Sequence, residues 1–532
     1  MTSPTPIRDV LIVGGGTAGW LTAAFLARTL GAQRPAGVRV TLVEASDIPP
    51  IGVGEGTFPS IRGTLSAIGL DERTFLRECQ ATFKQGVRFD DWGDAPPAGS
   101  APGDPRRHRY FHPFSQPSQR PGGPELLPYW LAGEAGAGVP FTAAATLQHH
   151  AVVAGRSPKR AGDPPWTGAL NHAYHLDAGR FAALLCTHAQ GLGVRRIVDT
   201  VEHVERDSRG DIAAVVTRAN GALAAGLYVD CTGLRATLIG GAMGVPVRPV
   251  RDVLFTDRAL ALQVPWDAPD SPIPPCTIST AHEAGWTWDI GLQHRRGVGY
   301  VYSSAHTTDE AAERVLRAHV GPAADGLNAR ALKLDTGYRE TQWVGNCVAV
   351  GLSAGFLEPQ ESSGIGLIEA AAYLLGYLFP WDGDCAPAAA HFNRQMRERF
   401  ERVVDFVKLH YCLSRRTDTA FWRDNRDAAS VPSSLQDLLA RWRSRAPHRL
   451  DFVTDVEMYP PSSWQYVLYG MGYPTRLAGA ALAALDRTDE ARREFEALRA
   501  VVPRALADLP DHRALLREWC QASPVASAGG SR

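Results

Sequence analysis

The chain has 532 residues, 45% hydrophobic and 21% charged, with a formal net charge of −1. That is ample apolar material for two to four domains or one large two-module enzyme. The near-neutral balance excludes a basic field for nucleic acid or for an anionic membrane. Eight cysteines (Cys79, Cys186, Cys231, Cys276, Cys347, Cys385, Cys412 and Cys520) stand without CxxC or metal-ligand spacing. They read as buried thiols of a reducing cytoplasm, with no metal centre.

Residues 10–27 (VLIVGGGTAGWLTAAFLA) are uncharged and long enough to resemble a membrane span. Glycines divide the run into a strand, a turn and a helix, and no basic n-region or cleavage pattern flanks it. A βα unit is therefore expected, with no signal peptide and no membrane span. Gly14, Gly16 and Gly19 form G-x-G-x-x-G around Thr17 and Ala18, directly after the strand. Glu44 closes the next expected strand, residues 38–44. Glycines there let the backbone approach a pyrophosphate at a helix N-terminus, and the carboxylate can take a ribose hydroxyl pair. Gly297-Val298-Gly299 lacks a third glycine and a following helix. One nucleotide cofactor is expected, without a second nicotinamide domain.

Residues 93–105, 116–124 and 155–165 are rich in Gly, Pro and Ala and read as mobile surface loops. Residues 173–185 (AYHLDAGRFAALL) read as a helical stretch with a cap at Asp177. Strands are expected over residues 194–216 and Leu227–Asp230, and again over the buried run 348–352. A loop and a helix over 366–378 follow. From residue 388 onward the pattern is helical, most clearly over 397–413, and residues 523–532 are small and polar, as in a fraying tail.

Residues 285–302 (GWTWDIGLQHRRGVGYVY) place Trp286 and Trp288 two apart in a β-patterned run, hence on one face of a strand. Such a pair either packs a core or forms a rigid wall beside a flavin. Positive charge is carried almost wholly by arginine, the lysines being Lys84, Lys159, Lys333 and Lys408. A lysine in such a chain can mark a need for an amine, because a desolvated lysine can lose its proton and arginine cannot.

These features, with five further motifs, resemble the flavin-dependent halogenases of the tryptophan halogenase family over residues 1–480. The family's G-V-G-E-x-T strap is matched by Gly52-Val53-Gly54-Glu55-Gly56-Thr57, and the context of its catalytic lysine by Thr82 to Phe89. Its H-P-F segment stands at His112-Pro113-Phe114, and its E-P-x-E-S-T-G-I loop at residues 358–365 (EPQESSGI). Its W-x-W-x-I-P signature ends here in Gly291 instead of proline. The resemblance implies an α/β fold: a flavin monooxygenase-like FAD-binding module (Rossmann-type βαβ plus mixed sheets) joined to a mainly helical C-terminal substrate module. The FAD module would comprise residues 1–110, 166–260 and 341–385. A loop-rich substrate-side insertion would span 111–165, the sheet with the tryptophan signature 261–340, the helical module 386–522, and a disordered tail 523–532.

The resemblance also implies roles. Reduced FAD and O2 would oxidise a halide, held by backbone N–H groups at Ser363 and Gly364, to hypohalous acid. Lys84 would relay the oxidant, as a haloamine or as a hydrogen-bonding ammonium. Glu361 would stabilise the arene cation and take its proton, with Glu358 as the outer glutamate. FAD would contact Gly14, Gly16, Thr17, Ala18, Gly19, Glu44, Gly54, Glu55, Val201, Leu352 and Ile365. Trp286 and Trp288 would keep organic substrate from the flavin, and His112, Phe114, Glu457 and Trp464 would face substrate. Pro461 and Ser462 replace an aromatic pair, and Gln465 breaks a tyrosine pair, found in members that use free tryptophan. Each aromatic wall is worth ~0.5–1.5 kcal/mol beyond burial, so an indole, a substituted indole or an indole within a larger molecule is expected instead. FADH2 would come from a separate NAD(P)H-dependent flavin reductase, with no nucleic acid or membrane partner and with a homodimer allowed. The alternatives are a flavin-dependent aromatic hydroxylase and a flavoprotein that binds without turnover.

Overall fold

A computed structural model describes residues 5–46, 54–101, 104–453 and 456–521. Gly52 and Val53 of the strap and the 523–532 tail lie outside the described residues. The expected βαβ unit is present. Strand Asp9–Val13 lies between parallel neighbours Leu227–Asp230 and Arg39–Glu44. Arg195–Val198 and Cys347–Ala349 extend this sheet in parallel, and Trp343–Val344 adds an antiparallel edge. The near-continuous apolar strand residues fit a sheet covered on both faces. Helix Thr17–Thr29 packs on helices Ala178–Gly191 and Ser363–Tyr377. No helix among the described residues is long and apolar enough to cross a membrane. Glycines reduce the hydrophobic run at residues 10–27 to a five-residue strand and part of a 13-residue helix.

Residues 173–185 depart from expectation. Ala173–Asp177 is a strand, and the helix begins only at Ala178. Asp177 is the cap, its side chain accepting from the Arg180 N–H at 3.1 Å. Five apolar-rich residues suit either period, and pairing with Gly54–Gly56 on one side and Thr82–Lys84 on the other selects the strand. The buried run near 348 is likewise shorter than expected, ending at Ala349 before a 3-10 turn, Gly351–Ser353. The segment 155–165 is irregular, but it is no free surface loop, because Ser157 and Lys159 are completely buried. Three of the eight thiols, Cys385, Cys412 and Cys520, are only half-buried.

A seven-stranded sheet runs Arg330–Lys333, Arg258–Pro265, Arg295–Tyr302, Gly285–Gly291, Thr277–His282, Gly86–Asp90 and Arg109–Pro113. It brings the tryptophan signature and the His112 strand into one layer. Trp286 and Trp288 share a face, with ring centroids 6.4 Å apart, and both are buried. Gly299 opposes Trp288, and a Cβ there would meet the indole at 2.2 Å. A Cβ on Gly297 would stand 3.1 Å from the Gly54 amide. The Gly-Val-Gly run is thus a seat for an indole and for the strap. At Gly291 a Cβ would meet Ile273 at 2.8 Å and Trp266 at 3.3 Å, so those side chains take the room a proline ring would need.

The remaining chain is mainly helical. Helix Cys385–Cys412 carries an apolar face that includes Phe392, Met396, Phe400, Val403 and Phe406. Helix Pro461–Gly470 lies between it and strand Arg109–Pro113, and helix His512–Gln521 packs on helix Glu72–Glu78.

Candidate active site

Lys84 ends the strand Thr82–Lys84 and is completely buried. Its Nζ donates to Ser362 Oγ at 2.8 Å and stands 5.3 Å from the Phe114 ring centroid. An ammonium has three N–H donors. The bond to Ser362 is the one formed here among the described residues. Burial lowers the proton affinity of the amine to about 8, against the opposing pull of Glu361 and Cys276. Opposite the amine lies the strap: a Cβ on Gly56 would fall 2.7 Å from Ser362 Oγ and 3.0 Å from Lys84 Nζ. Ser362 itself holds a left-handed conformation (φ 59°) just before helix Ser363–Tyr377. Such a backbone costs a non-glycine residue of order 1–3 kcal/mol and is kept where neighbours over-determine it.

Glu361 precedes that turn and is also buried. His112 Nδ1 lies 2.9 Å from Oε1 and 3.1 Å from Oε2, and His410 Nε2 lies 3.0 Å from Oε1. Burial alone would raise the carboxyl, but His112 and His410 outweigh it and hold it at about 2. His410 Nδ1 also faces an acceptor, the Phe406 carbonyl, at 2.9 Å. Both ring nitrogens of His410 thus face acceptors. His112 differs, because Ser463 Oγ at 2.7 Å can donate to its Nε2. His112 sits within strand Arg109–Pro113, not in a turn. Glu358 is separate: it accepts from Thr256 Oγ1 and from Tyr411 OH, and burial pushes it up to about 7.

Of the candidate nucleotide residues, Gly14, Gly16, Thr17, Ala18, Gly19, Glu44 and Leu352 gather at the six-stranded sheet, whereas Gly54 and Glu55 lie in the small sheet that carries Lys84 and Val201 lies in another three-stranded sheet. Gly14 (φ +112°) leaves no space for a Cβ, which would meet the Cys231 carbonyl at 2.2 Å. Gly16, at the start of the helix, faces open space. Glu44 takes Trp20 Nε1 at 3.3 Å and Arg196 at 2.7 Å. Gly351 meets Ala18, where a Cβ would lie 2.7 Å from the alanine methyl, so the turn carrying Leu352 abuts the start of the glycine helix beside Thr17. Val201 opens a strand half-buried, Ile365 is buried in the first turn of Ser363–Tyr377, and burial beside Asp177 pushes Glu55 up to about 7. The backbone at Ser363 and Gly364 begins the same helix, and nothing lies within 4 Å of a Cβ built on Gly364.

Glu457 and Trp464 stand outside the Lys84–Glu361 hydrogen bonds. Trp464 is packed among Phe406, Trp442 and Phe452. Among the described residues neither Glu457 oxygen has a hydrogen-bond partner, Arg402 being 3.9 Å away, and burial pushes its carboxyl up to about 7. Phe406 links this region to His112, at 5.7 Å between centroids. A hollow of about 280 Å³ between Trp266, Asp289 and Arg296 is on the other face of the signature strand and touches none of these residues.

The sequence matches the Tryptophan halogenase family profile over residues 9–487. The chain belongs to the tryptophan halogenase family. Tryptophan 6-halogenase SttH of Streptomyces toxytricini is 38% identical, over 92% of this chain and 94% of its own. A tryptophan halogenase from Shewanella frigidimarina superposes with a TM-score of 0.92 at 40% identity, covering 97% of this chain and 98% of that one. BrvH, a flavin-dependent halogenase from Brevundimonas sp. BAL3, gives 0.84 at 36% identity, over 96% and 99%.

As a member of the tryptophan halogenase family the protein is a flavin-dependent oxidoreductase. Its residues fit a flavin dinucleotide: an anion-ready helix start left open at Gly16, and a carboxylate at the end of the second strand. Sequence reasoning missed Gly15, where a Cβ would fall 1.5 Å from Glu44 Oε2. It also missed Ser362, His410 and Ser463, whose types carry no signal until the chain is folded.

Proposed function

We propose that the protein is an FADH2-dependent halogenase that places chlorine or bromine on an electron-rich aromatic carbon of an indole-type substrate other than free tryptophan. Bound reduced FAD, with O2, supplies the two-electron oxidation of halide to hypohalous acid. The first-turn N–H groups at Ser363 and Gly364 hold the halide. Lys84 receives the oxidant in a water-poor setting, and the observation that carries this reading is its buried amine, whose one hydrogen-bond partner among the described residues is the Ser362 hydroxyl. Glu361, ionised between two imidazoles, stabilises the arene cation and takes its proton. Trp286 and Trp288 hold bulky substrate away from the flavin.

The substrate preference is supported by helix Pro461–Gly470. Pro461 and Ser462 start it where free-tryptophan members carry an aromatic pair, and Gln465, which breaks their tyrosine pair, donates to the Pro447 carbonyl at 2.9 Å. The test supplies FAD, a flavin reductase and NADH, with chloride or bromide, and offers indole, tryptophan and phenols. Products are read by mass. Halogenated indole is expected, and Lys84→Ala should abolish it while FADH2 oxidation continues. A product gaining oxygen would establish the hydroxylase instead, and tryptophan as the best substrate would reject the preference.

A further inference from the structure

The strand that carries Lys84 is three residues long and, among the described residues, is an edge of its own small sheet, paired only with Ala173–Asp177. So short a pairing leaves the outer edge of its backbone unsatisfied. The partner comes from the far end of the chain. His512 Nε2 accepts the Phe83 N–H at 3.1 Å, and His512 Nδ1 lies 3.0 Å from the Ile273 carbonyl. A donor at one ring nitrogen and an acceptor at the other select one neutral tautomer, with the proton on Nδ1. His512 is 1% exposed, and burial draws its proton affinity down to about 4.

Alternation along a strand sends the side chains of Phe83 and Lys84 to opposite faces. Phe83 goes into the C-terminal helix, with its ring 5.9 Å from His512 and 6.1 Å from Trp519. Lys84 goes to Ser362. The helix is anchored in turn through Trp519, whose ring has Lys159 Nζ at 4.6 Å and the Arg73 guanidinium at 4.9 Å.

We propose that the C-terminal helix His512–Gln521 is a positioning element of the active site, with His512 setting, through the Phe83 amide, where the Lys84 backbone stands and so whether the amine meets the oxidant. His512 touches no reacting atom; it acts through Lys84, and the inference rests on Lys84 being the relay. Residue 512 lies beyond the stretch matched by the family profile, 9–487. Loss of the bridge frees the strand edge, and a displacement near 1 Å at a reacting group can cost about 10²-fold.

The experiment measures halogenated indole formed per FADH2 oxidised, and hypohalous acid escaping to a dissolved trap such as monochlorodimedone, alongside FAD affinity and melting temperature. His512→Leu should lose at least about tenfold in product per flavin, through kcat and not through the KM for indole, with the missing oxidant found in the trap. His512→Gln has an amide acceptor and donor spaced roughly like the two ring nitrogens, and it should stay within about threefold. Arg513→Met removes a docking contact of the same helix, to Pro269 and Gln293, without touching the lysine strand, and should keep its coupling even if it melts earlier. If His512→Leu does not fold, His512→Asn, too short to reach Phe83, takes its place with the same expectation. Wild-type coupling in His512→Leu, equal losses in Leu and Gln, or an equal loss in Arg513→Met would each overturn the proposal. Lys84→Ala run in parallel separates the two readings: halogenation surviving there rejects the relay itself, whereas a dead Lys84→Ala with normal His512→Leu rejects only the positioning role.

Discussion

Lys84 and Lys159 are both completely buried, yet their surroundings are built in opposite ways. Lys159 Nζ is 2.7 Å from Glu72 Oε2 and 3.0 Å from the Pro164 carbonyl, and it lies over the Trp519 ring. Glu72 is itself saturated, taking Tyr174 OH and the Trp166 amide at 2.6 Å each. Burial works against its ionisation, and its bonded neighbours still hold the carboxyl below its usual range. Lys408 resembles Lys159, with the Val253 carbonyl at 2.9 Å and Asn425 Oδ1 at 3.0 Å. Among the described residues Lys84 has one hydroxyl and no carboxylate in contact. Partner count, not burial, sets Lys84 apart from Lys159 and Lys408.

Substitutions can break this contrast. The largest expected effect is Lys84→Arg, which keeps the charge but cannot supply a neutral amine. Halogenation per FADH2 should fall by about 10²–10⁴-fold, with FAD affinity and melting temperature near wild type. Lys159→Met should do the reverse. It strands Glu72 and should cost about 3–5 kcal/mol in a denaturant titration, while folded enzyme keeps its product per flavin within about threefold of wild type. Equal effects of the two on coupling would erase the distinction.

Titration sharpens it. Lys84, held at about 8, should give a single-turnover halogenation rate that climbs as pH rises through 8. A fall through the same range would assign the work to the ammonium. The smallest effect is on stability. His512 sits at about 4, below its unfolded value near 6.5. Below pH 6.5 the unfolded chain binds a proton that the folded one refuses. Stability from this group is therefore complete above 6.5 and lost as pH falls toward 4, by about 1.4 kcal/mol per pH unit. Urea midpoints at pH 7, 5.5 and 4.5 measure it, and His512→Gln should flatten part of that slope.

The nucleotide half was legible because backbone geometry demands particular residues: Gly14 needs its positive φ, and Glu44 ends a strand paired directly to the first. Lys84 stood out because lysine is scarce, and Trp286 with Trp288 because a period of two survives in any strand. What stayed hidden depends on distant partners. His112 and Glu361 are 249 positions apart, His112 and Ser463 351, and Phe83 and His512 429. A histidine reads the same in sequence whether it binds solvent, a carboxylate or a backbone amide. The strand at Ala173–Asp177 was missed for a related reason: both its partners are three-residue strands, each too short to show a period of its own.

Gly56 occupies a place where one extra carbon would collide with both Ser362 Oγ and Lys84 Nζ. For an engineer this divides the protein into a rigid side and a malleable one. Redesign at the strap would displace the Lys84 nitrogen, whereas the helix from Pro461 meets His112 through the Ser463 hydroxyl and the Tyr466 ring, 6.4 Å away. Libraries aimed at new arenes belong on that helix.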